Sequence, residues 1–314
     1  NSETLKLANA IKAQRIIELQ NQSHGFKINK TSHIKLIDYV QGVAEKKSEN
    51  EVRKTVLHAV VYHLRRYDPN DTLLSRIDKD YILGFLDYLK TAKQTHTKKE
   101  KLLHVNTQVY YYKMLRFCLN YAVSEELISA NPMNKIKNEE KPHKHRTERE
   151  YLTIDEIRKL AQTPFYNALL KKAFLFSCFC GLRHSDIIAL TWGNIEMDEE
   201  GNSRLHIIQK KTKEAISLPL SQEAIKQLPQ RENAKDGDII FKKLITLGRT
   251  NEILPKWAEQ AGIKKHITFH TARHTHATML LTLGVDLYTV SKLLGHTNIQ
   301  TTQIYAKLVD ESKK

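Results

Sequence analysis

The chain has 314 residues, 40% of them apolar and 27% charged, which is the composition of an ordinary globular protein and the length of two domains. Its longest apolar run, near 173–182, is too short to cross a bilayer, and no secretory signal is visible, so we expect neither a membrane protein nor a secreted one. The net charge of +15 is divided almost equally, with +7 on residues 1–140 and +8 on residues 141–314.

Basicity in both halves favours a long polyanion that both halves bind, and the alternative is a protein that is basic without such a partner. The three cysteines are Cys118, Cys178 and Cys180, which form no C-x-x-C pair. The last two lie in an apolar run, where buried free thiols are common, so a reducing cytoplasm is the expected location.

The first half is predicted to be helical throughout. Its apolar residues recur every three or four positions, and glycine or polar residues separate the stretches. The predicted helices are 3–22, 32–46, 49–66, 78–91 and 106–126, with Asn106 as the N-cap of the last. Asn131-Pro132 ends the series, because proline disfavours a helical residue before it.

Residues 135–149, "KIKNEEKPHKHRTER", have almost no apolar residues, no period and a central Pro142, which predicts an exposed linker. This linker divides the chain. The predicted regions are an N-terminal helix within 1–30, a helical domain over 31–134, a basic linker over 135–150 and a second domain over 151–314.

The second half mixes helices with a hairpin. A capping box at Thr153 and Glu156 begins one helix, and a long apolar helix over 165–180 ends at Gly181. Apolar stretches at 204–209 and 215–220 flank the basic tip "KKTKE" and predict a β-hairpin. Further helices are predicted over 247–261, 271–283, 286–294 and 298–308. The expected fold is two mainly helical domains, with a small antiparallel sheet in the second.

Three histidines and an arginine lie in "FHTARHTHATML", residues 269–280. His270 and His274 are one helical turn apart and could hold zinc, but a zinc protease has glutamate where Thr271 stands, and Arg273 would repel the metal. On a helix, His270 and Arg273 point the same way and could instead bind a phosphate. A solvated polar helix face is the third interpretation of this segment.

The segment "CGLRHSDIIAL" places Arg183 between the end of one helix and the start of the next. Its guanidinium and the free N–H groups of the new helix could converge on an anion. The alternative is an ion pair between Arg183 and Asp186 that joins the two helices.

Two other segments do not indicate a function when each is considered alone. Lys210, Lys211 and Lys213 occupy the hairpin tip, where lysines are ordinarily only solvated. His296 follows Gly295 in "LLGH", and Tyr305 lies in the last helix, where packing is the ordinary reason for a tyrosine.

Together these segments resemble the tyrosine recombinases, the family that includes phage and mobile-element integrases. Five matching segments follow one another in the family's order between about 181 and 306: "GLRHSDI", "QKKTKEAISLPL", "HTARHTHAT", "LLGH" and "TTQIYAKL". This combination is far more specific than any one segment. The helical first half and the basic linker resemble the family's core-binding domain and hinge, and the helix within 1–30 would connect to an upstream arm-binding domain.

The resemblance implies a mainly α fold, with a helical core-binding domain and a mixed α+β catalytic domain that carries the small antiparallel hairpin sheet. It also implies a set of six catalytic residues. They are Arg183, Lys211, His270, Arg273, His296 and Tyr305. Asp186 matches an acidic residue that supports the first arginine. Lys211 is preferred to Lys210 because the family's lysine directly precedes a threonine, here Thr212.

These residue types suit the cleavage of a phosphodiester without a metal. The phosphate repels nucleophiles, so Arg183 and Arg273 would supply fixed positive charge, and His296 would add a hydrogen bond as charge redistributes. Tyr305 would be the nucleophile, but a phenol with a pKa of about 10 needs a proton acceptor or nearby cations, and His270 is the expected acceptor.

The leaving 5′ oxygen needs a proton. Lys211 would supply it as general acid and would accelerate the step by roughly 10²- to 10⁴-fold. The implied product is a 3′-phosphotyrosyl link with a free 5′ hydroxyl, which retains the energy of the diester, so neither a metal nor a nucleotide cofactor is expected. No Gly-x-x-x-x-Gly-Lys-Ser/Thr loop is present in the sequence.

The implied partner is double-stranded DNA, on which the two basic halves would close and four copies would assemble as a homotetramer. Accessory DNA-bending or directionality proteins are further expected partners, and the expected location is the prokaryotic nucleoid in the cytoplasm. Three alternatives stay open: a type IB topoisomerase, which uses the same cleavage chemistry, an inactive DNA-binding protein, and a zinc hydrolase.

Overall fold

The computed structural model describes residues 8–9, 11–13, 15–16, 33–46, 51–94, 101–145, 149–200 and 202–312. The chain divides into two compact units, Asn1–Arg146 and Thr147–Lys314. Of the helix predicted over 3–22, residues 8–9, 11–13 and 15–16 are helical, and the rest lies outside the described residues.

The first unit is helical. Its longer described helices are α1 (Leu36–Lys46), α2 (Glu51–Tyr67), α3 (Lys79–Thr91) and α4 (Val105–Ser124). Short 3-10 helices lie at Leu74–Arg76, Pro132–Lys135 and Asn138–Glu140. The predicted apolar spacing explains the core, in which Leu57, Phe85 and Leu115 are almost fully buried. Helix α3 begins as expected, because the side chain of Asp78 accepts a hydrogen bond from the backbone N–H of Tyr81 at 2.8 Å.

The prediction that Asn106 caps its helix is wrong. Helix α4 begins one residue earlier, and its N-cap is His104, whose Nδ1 accepts from the backbone N–H of Asn106 at 3.1 Å. The amide of Asn106 is used elsewhere. Its Oδ1 accepts from the backbone N–H of His145, and its Nδ2 donates to the carbonyl of the same residue.

The described part of the predicted linker, residues 135–145 and 149, is mostly exposed, but it is also attached to the first unit at a few positions. Ile136 is buried in the core of the first unit, and Glu140 forms an ion pair with Lys79 at 2.8 Å. The two hydrogen bonds between Asn106 and His145 fix the chain near the end of this unit. The physical reason is that one apolar side chain and a few well-placed polar groups suffice to fasten a segment whose composition is otherwise hydrophilic.

The second unit contains eight described helices and a sheet. The helices are α5 (Ile154–Gln162), α6 (Ala168–Cys180), α7 (His184–Ile187), α8 (Gln222–Ile225), α9 (Leu247–Gln260), α10 (Phe269–Thr282), α11 (Leu287–Leu293) and α12 (Gln300–Ser312). None of the helices among the described residues has the length and apolar content needed to span a membrane.

The sheet has three antiparallel strands in the order β1 (Ile195–Met197), β2 (Ser203–Ile208) and β3 (Ala215–Pro219). The predicted hairpin is confirmed, with Leu205 opposite Leu218. The prediction missed β1, because three residues with the pattern Ile-Glu-Met are too short to show an alternating period. The inward side chains Leu205, Ile216 and Leu218 are buried in the core of the unit.

Helix α10 lies at the centre of the second unit. Its residues from Thr271 to Thr278 are all buried, polar ones included, and the helix packs against both α6 and α12. The hydroxyl of Thr275 accepts a hydrogen bond from the backbone N–H of Leu152 at 2.9 Å. Because most of this helix is enclosed, most of its polar side chains find hydrogen-bond partners within the protein, as Arg273 and His274 do.

Helix α6 ends at Gly181, as predicted, and this position admits only glycine. Its φ of +69° is left-handed, and a Cβ there would lie 2.6 Å from Cδ2 of His276 and 3.0 Å from Cδ2 of Leu294. Gly262 has a similar φ of +71°, but nothing lies within 4 Å of its Cβ position.

We expect Gly181→Ala to lower the free energy of unfolding of the second unit by roughly 1–3 kcal/mol more than Gly262→Ala, which should cost about 1 kcal/mol. Both variants strain the backbone, but only the first introduces a steric clash. Urea unfolding followed by tryptophan fluorescence measures this unit, since Trp192 and Trp257 are the two tryptophans of the chain. Equal losses for the two variants would contradict the clash.

Candidate active site

Arg273 is the buried centre of the site. Its side chain is 2% exposed, and its guanidinium donates from Nη1 to the carbonyl of Gly181 at 2.8 Å and from Nη2 to the carbonyl of Leu294. These two carbonyls belong to the C-terminal ends of α6 and α11. Burial, with a smaller contribution from Arg183, lowers the pKa of Arg273 to about 10, so the group is still cationic at neutral pH.

Arg183 lies on the turn between α6 and α7 and is joined to Arg273 through one glutamine. Its Nη1 donates to Oε1 of Gln209, while Nε2 of Gln209 donates at 3.0 Å to the Leu294 carbonyl that also accepts from Arg273. Asp186, which is 4% exposed, lies 4.0 Å from the Arg183 guanidinium. The structure therefore brings the two predicted arginines into one hydrogen-bonded network.

The hairpin tip is fastened to this network. The backbone N–H of Lys210 donates to Oδ1 of Asp186 at 3.0 Å, and the hydroxyl of Thr212 donates to Oε1 of Gln209 at 2.8 Å. Lys211 stands between these two anchored residues, with an exposed side chain. Its charge is one of those that lower the pKa of His270, so the predicted lysine and this histidine are electrostatic neighbours.

Tyr305 is the buried phenol of the site. It projects from α12, is 1% exposed, and packs with Ala277, Val290 and Leu294. Burial raises the pKa of the phenol above 10, and the cations of Arg273, Arg149 and Arg183 oppose this rise. The phenol is therefore protonated at neutral pH in the free protein.

The side chain in contact with the phenol is not the predicted one. Nδ1 of His274 lies 2.8 Å from the hydroxyl oxygen of Tyr305, whereas His270 lies beside His274, with 4.6 Å between the ring centroids. The two rings are perpendicular, so His270 is the next imidazole outwards and is exposed. In the free protein, therefore, His274 and not His270 is placed to accept the Tyr305 proton directly.

The imidazoles of the site are neutral at pH 7. Partial loss of water around each ring, followed by the charges of Arg273 and Arg183, lowers the pKa of His270 and that of His296 to about 4. Enclosure and the neighbouring His270 lower the pKa of His274 to about 3. Fully buried His276, which packs against Gly181, has a pKa of about 4 for the same reason.

His296 follows the left-handed Gly295 and is oriented by the last helix. Its Nδ1 lies 2.7 Å from the hydroxyl of Thr302, which is itself fully buried. This contact leaves Nε2 as the ring nitrogen available to a ligand. Electrostatic contacts link His296 to Arg273, Arg183 and His270, so this residue too belongs to the same cluster.

Sequence reasoning missed three residues of the site. The sequence suggests His274 only as a zinc ligand, although its spacing of one turn from His270 indicates a shared helix face. Gln209 lies at the end of a predicted strand, and nothing in the sequence distinguishes it. Arg149 falls in the predicted linker, yet it contacts Tyr305 and lines a cleft with His270 and His274.

The arrangement can bind an anion and polarise it. Three guanidinium groups, of Arg149, Arg183 and Arg273, act on one phenol, and the adjacent imidazoles are uncharged hydrogen-bonding groups. Within the part of the chain that the structure describes, no group of three or more His, Cys, Asp or Glu side chains is arranged to hold a metal ion. The geometry suits a nucleophilic attack on a phosphate ester.

Comparisons with known proteins agree with this geometry. Residues 150–312 match the phage integrase family, and residues 35–153 match the phage integrase SAM-like domain. A tyrosine recombinase of Pseudothermotoga lettingae is 29% identical over 249 residues, which cover 78% of this chain and 82% of the relative.

Two solved structures share the fold. The Tn1549 transposon integrase in complex with a circular intermediate DNA has a TM-score of 0.68 at 17% identity, covering 87% of this chain and 95% of the other. The lambda integrase tetramer bound to a Holliday junction has a TM-score of 0.66 at 19% identity, covering 86% and 76%.

The buried neutral histidines predict a stability that depends on pH. An unfolded histidine has a pKa of about 6.5, so between pH 6.5 and 4 the unfolded chain binds protons that folded His276 does not. The free energy of unfolding of the second unit should be at its full value above pH 6.5 and should decrease as the pH falls below 6.5. We expect His276 to account for about 1 kcal/mol of the loss at pH 5.5.

Urea unfolding followed by tryptophan fluorescence at pH 7.5, 6.5 and 5.5 measures this loss, in a range where carboxylates stay ionised. His276→Gln, which cannot take up a proton, should show a shallower decline than the unsubstituted protein. A stability that is flat across this range would contradict the lowered pKa values.

Proposed function

The chain belongs to the phage integrase family, the tyrosine recombinases, and on that premise we propose that it integrates and excises a mobile element through a 3′-phosphotyrosyl link to Tyr305. As a member of this family it is an enzyme that cuts and rejoins DNA strands at specific sites. The observation that carries the assignment of the nucleophile is a single buried phenol under the influence of several arginines, with an imidazole 2.8 Å from its oxygen.

In the proposed reaction, Arg183 and Arg273 hold the non-bridging oxygens of the scissile phosphate, and His296 donates a third hydrogen bond. The network through Gln209 and the Leu294 carbonyl supports this role, because it holds both guanidinium groups before the substrate arrives. Preorganised donors stabilise the transition state without a cost of reorganisation when the charge develops.

The proton of Tyr305 has two proposed acceptors in sequence. His274 is in direct contact with the hydroxyl, and His270, expected from the sequence, is the next imidazole outwards. Both are weak bases in the free protein because their pKa values are low. A bound phosphate brings a negative charge, which favours an imidazolium and so raises those pKa values, making the acceptors effective only when DNA is bound.

Lys211 is the proposed general acid for the leaving 5′ oxygen. Its exposed side chain lies between two residues with hydrogen bonds to the site: the backbone N–H of Lys210 donates to Asp186, and the hydroxyl of Thr212 donates to Gln209. Departure of a 5′ alkoxide is slow without a proton, and an ammonium group held close to that oxygen supplies it. The phosphodiester energy stays in the phosphotyrosyl link, so rejoining needs no nucleotide.

Double-stranded DNA is the proposed partner, and a homotetramer on two aligned sites is the proposed assembly. The solved relatives are integrases bound to DNA, one of them a tetramer on a Holliday junction, and this chain carries a net charge of +15. Accessory DNA-bending or directionality proteins are part of the same proposal, and work on chromosomal DNA would place the protein at the nucleoid.

The first test identifies the substrate and then the nucleophile. Sequencing the duplexes bound from a random pool defines the core site, and a nicked duplex that carries this site traps the covalent intermediate. We expect Tyr305→Phe to bind the duplex within twofold of the unsubstituted protein and to form no SDS-resistant adduct, since phenylalanine has no oxygen to attack phosphorus.

Tyr288→Phe is the matched control, because Tyr288 is a 62% exposed tyrosine of the same unit. It should form the adduct at the normal rate. An adduct that persists in Tyr305→Phe, or that is lost equally in both variants, rejects Tyr305 as the nucleophile.

The general acid has a separate test. Lys211→Ala should slow cleavage by roughly 10²- to 10⁴-fold on an ordinary duplex and recover most of this loss on a duplex with a bridging 5′ sulfur, which leaves without a proton. Lys210→Ala is the matched control and should show no such rescue. If Lys211→Ala binds DNA normally but the sulfur duplex does not restore its cleavage rate, Lys211 is not the general acid. If the sulfur duplex restores cleavage by Lys210→Ala instead, Lys210 is the general acid.

A further inference from the structure

Gln209 is a buried polar side chain to which the proposed chemistry assigns no step. It follows strand β2, at the start of the basic hairpin tip, and its exposure is 0%. A buried amide is costly unless its hydrogen-bonding groups are satisfied. Both the oxygen and the nitrogen of this amide are hydrogen-bonded to groups of the candidate site.

The oxygen of the amide serves the first arginine and the hairpin. Oε1 of Gln209 accepts from Nη1 of Arg183 and from the hydroxyl of Thr212 at 2.8 Å. The nitrogen serves the second arginine indirectly, because Nε2 donates at 3.0 Å to the Leu294 carbonyl, which also accepts from Arg273. One side chain thus joins three separate segments of the sequence.

The partners of Gln209 require a neutral side chain that both accepts and donates hydrogen bonds. A carboxylate would neutralise Arg183 and would have no hydrogen to offer the Leu294 carbonyl, so two oxygens would face each other. The side chain is also closely packed, since a Cβ on Gly295 would lie 2.7 Å from Oε1 of Gln209. The amide holds Arg183 without removing the positive charge that a phosphate needs.

We propose that Gln209 is a positioning residue that aims Arg183 at the scissile phosphate. The proposal rests on the proposed function. The hydroxyl of Thr212, which donates to the same Oε1, helps to hold the amide in the orientation that Arg183 requires. Gln209 touches neither the phosphate nor the phenol in this scheme and acts through Arg183.

A double-mutant cycle tests the coupling. Single-turnover adduct formation on the nicked core-site duplex is measured at pH 8 for Gln209→Ala, Arg183→Ala and the double variant. We expect Gln209→Ala to be roughly 10- to 100-fold slower and Arg183→Ala roughly 10²- to 10³-fold slower than the unsubstituted protein. The double variant should be within about twofold of Arg183→Ala, because a residue that acts only through Arg183 has nothing left to position. Multiplied losses would overturn the proposal.

Comparing the rates of adduct formation by Gln209→Glu and Gln209→Ala distinguishes a positioning role from one in which the side chain only fills space. Gln209→Glu keeps the shape of glutamine but pairs with Arg183, so it should be slower than Gln209→Ala. A residue that only fills space would show the reverse order, and that result would also overturn the proposal. Should Gln209→Glu fail to fold, as tryptophan fluorescence would reveal, the cycle alone decides.

Gln260→Ala and Gln260→Glu are the matched controls, since Gln260 is an exposed glutamine at the end of α9 in the same unit. Both should cleave at the normal rate. If the unsubstituted protein itself forms no adduct on the selected site, the proposed function fails. If it forms the adduct and the cycle shows multiplied losses, only the assignment of Gln209 fails.

Discussion

The architecture of the second unit depends on the burial of one guanidinium group. Placing a cation in the protein interior costs several kcal/mol unless hydrogen bonds and opposite charge compensate. Arg273 obtains both from the carbonyls of Gly181 and Leu294, which end two helices and carry the partial negative charge of helix C-termini. The chain must leave each helix abruptly to present those carbonyls, and the left-handed Gly181 and Gly295 make that possible.

The buried charge of Arg273 also influences the titratable groups around it. Among the described residues, the ion pairs do not include Arg273, so its charge is not cancelled by a carboxylate within 4.0 Å. The surrounding imidazoles are neutral mainly because they are desolvated, and the charge of Arg273 lowers their pKa values further. The phenol stays protonated because it is buried. The site therefore carries excess positive charge from its arginines, which suits it to bind an anion. A bound phosphodiester would balance this charge and raise the pKa of the neighbouring imidazoles. DNA binding and the activation of Tyr305 are therefore expected to coincide.

The motifs of the candidate site could be located from the sequence, but the contacts within it could not. Arginines, lysine, histidines and tyrosine in "GLRHSDI", "QKKTKE", "HTARHTH" and "TTQIYAKL" are recognisable by type and order. Which imidazole meets the phenol depends on how α12 lies against α10, and this packing selects His274. Gln209 and Arg149 lack any distinguishing pattern, because a lone glutamine or arginine acquires its role only from partners that are distant along the chain.

The sequence by itself determined the helices, the hairpin, the glycine stops and the division of positive charge between the halves, because these follow from local periodicity, local backbone conformation and composition. It also determined the family, through five short segments in order. Only the tertiary structure decided that Asn106 secures His145 instead of capping its helix, that Ile-Glu-Met forms a third strand, and that Gln209 joins two arginines. These features arise from contacts between segments tens of residues apart, and no local pattern encodes the geometry with which such segments meet.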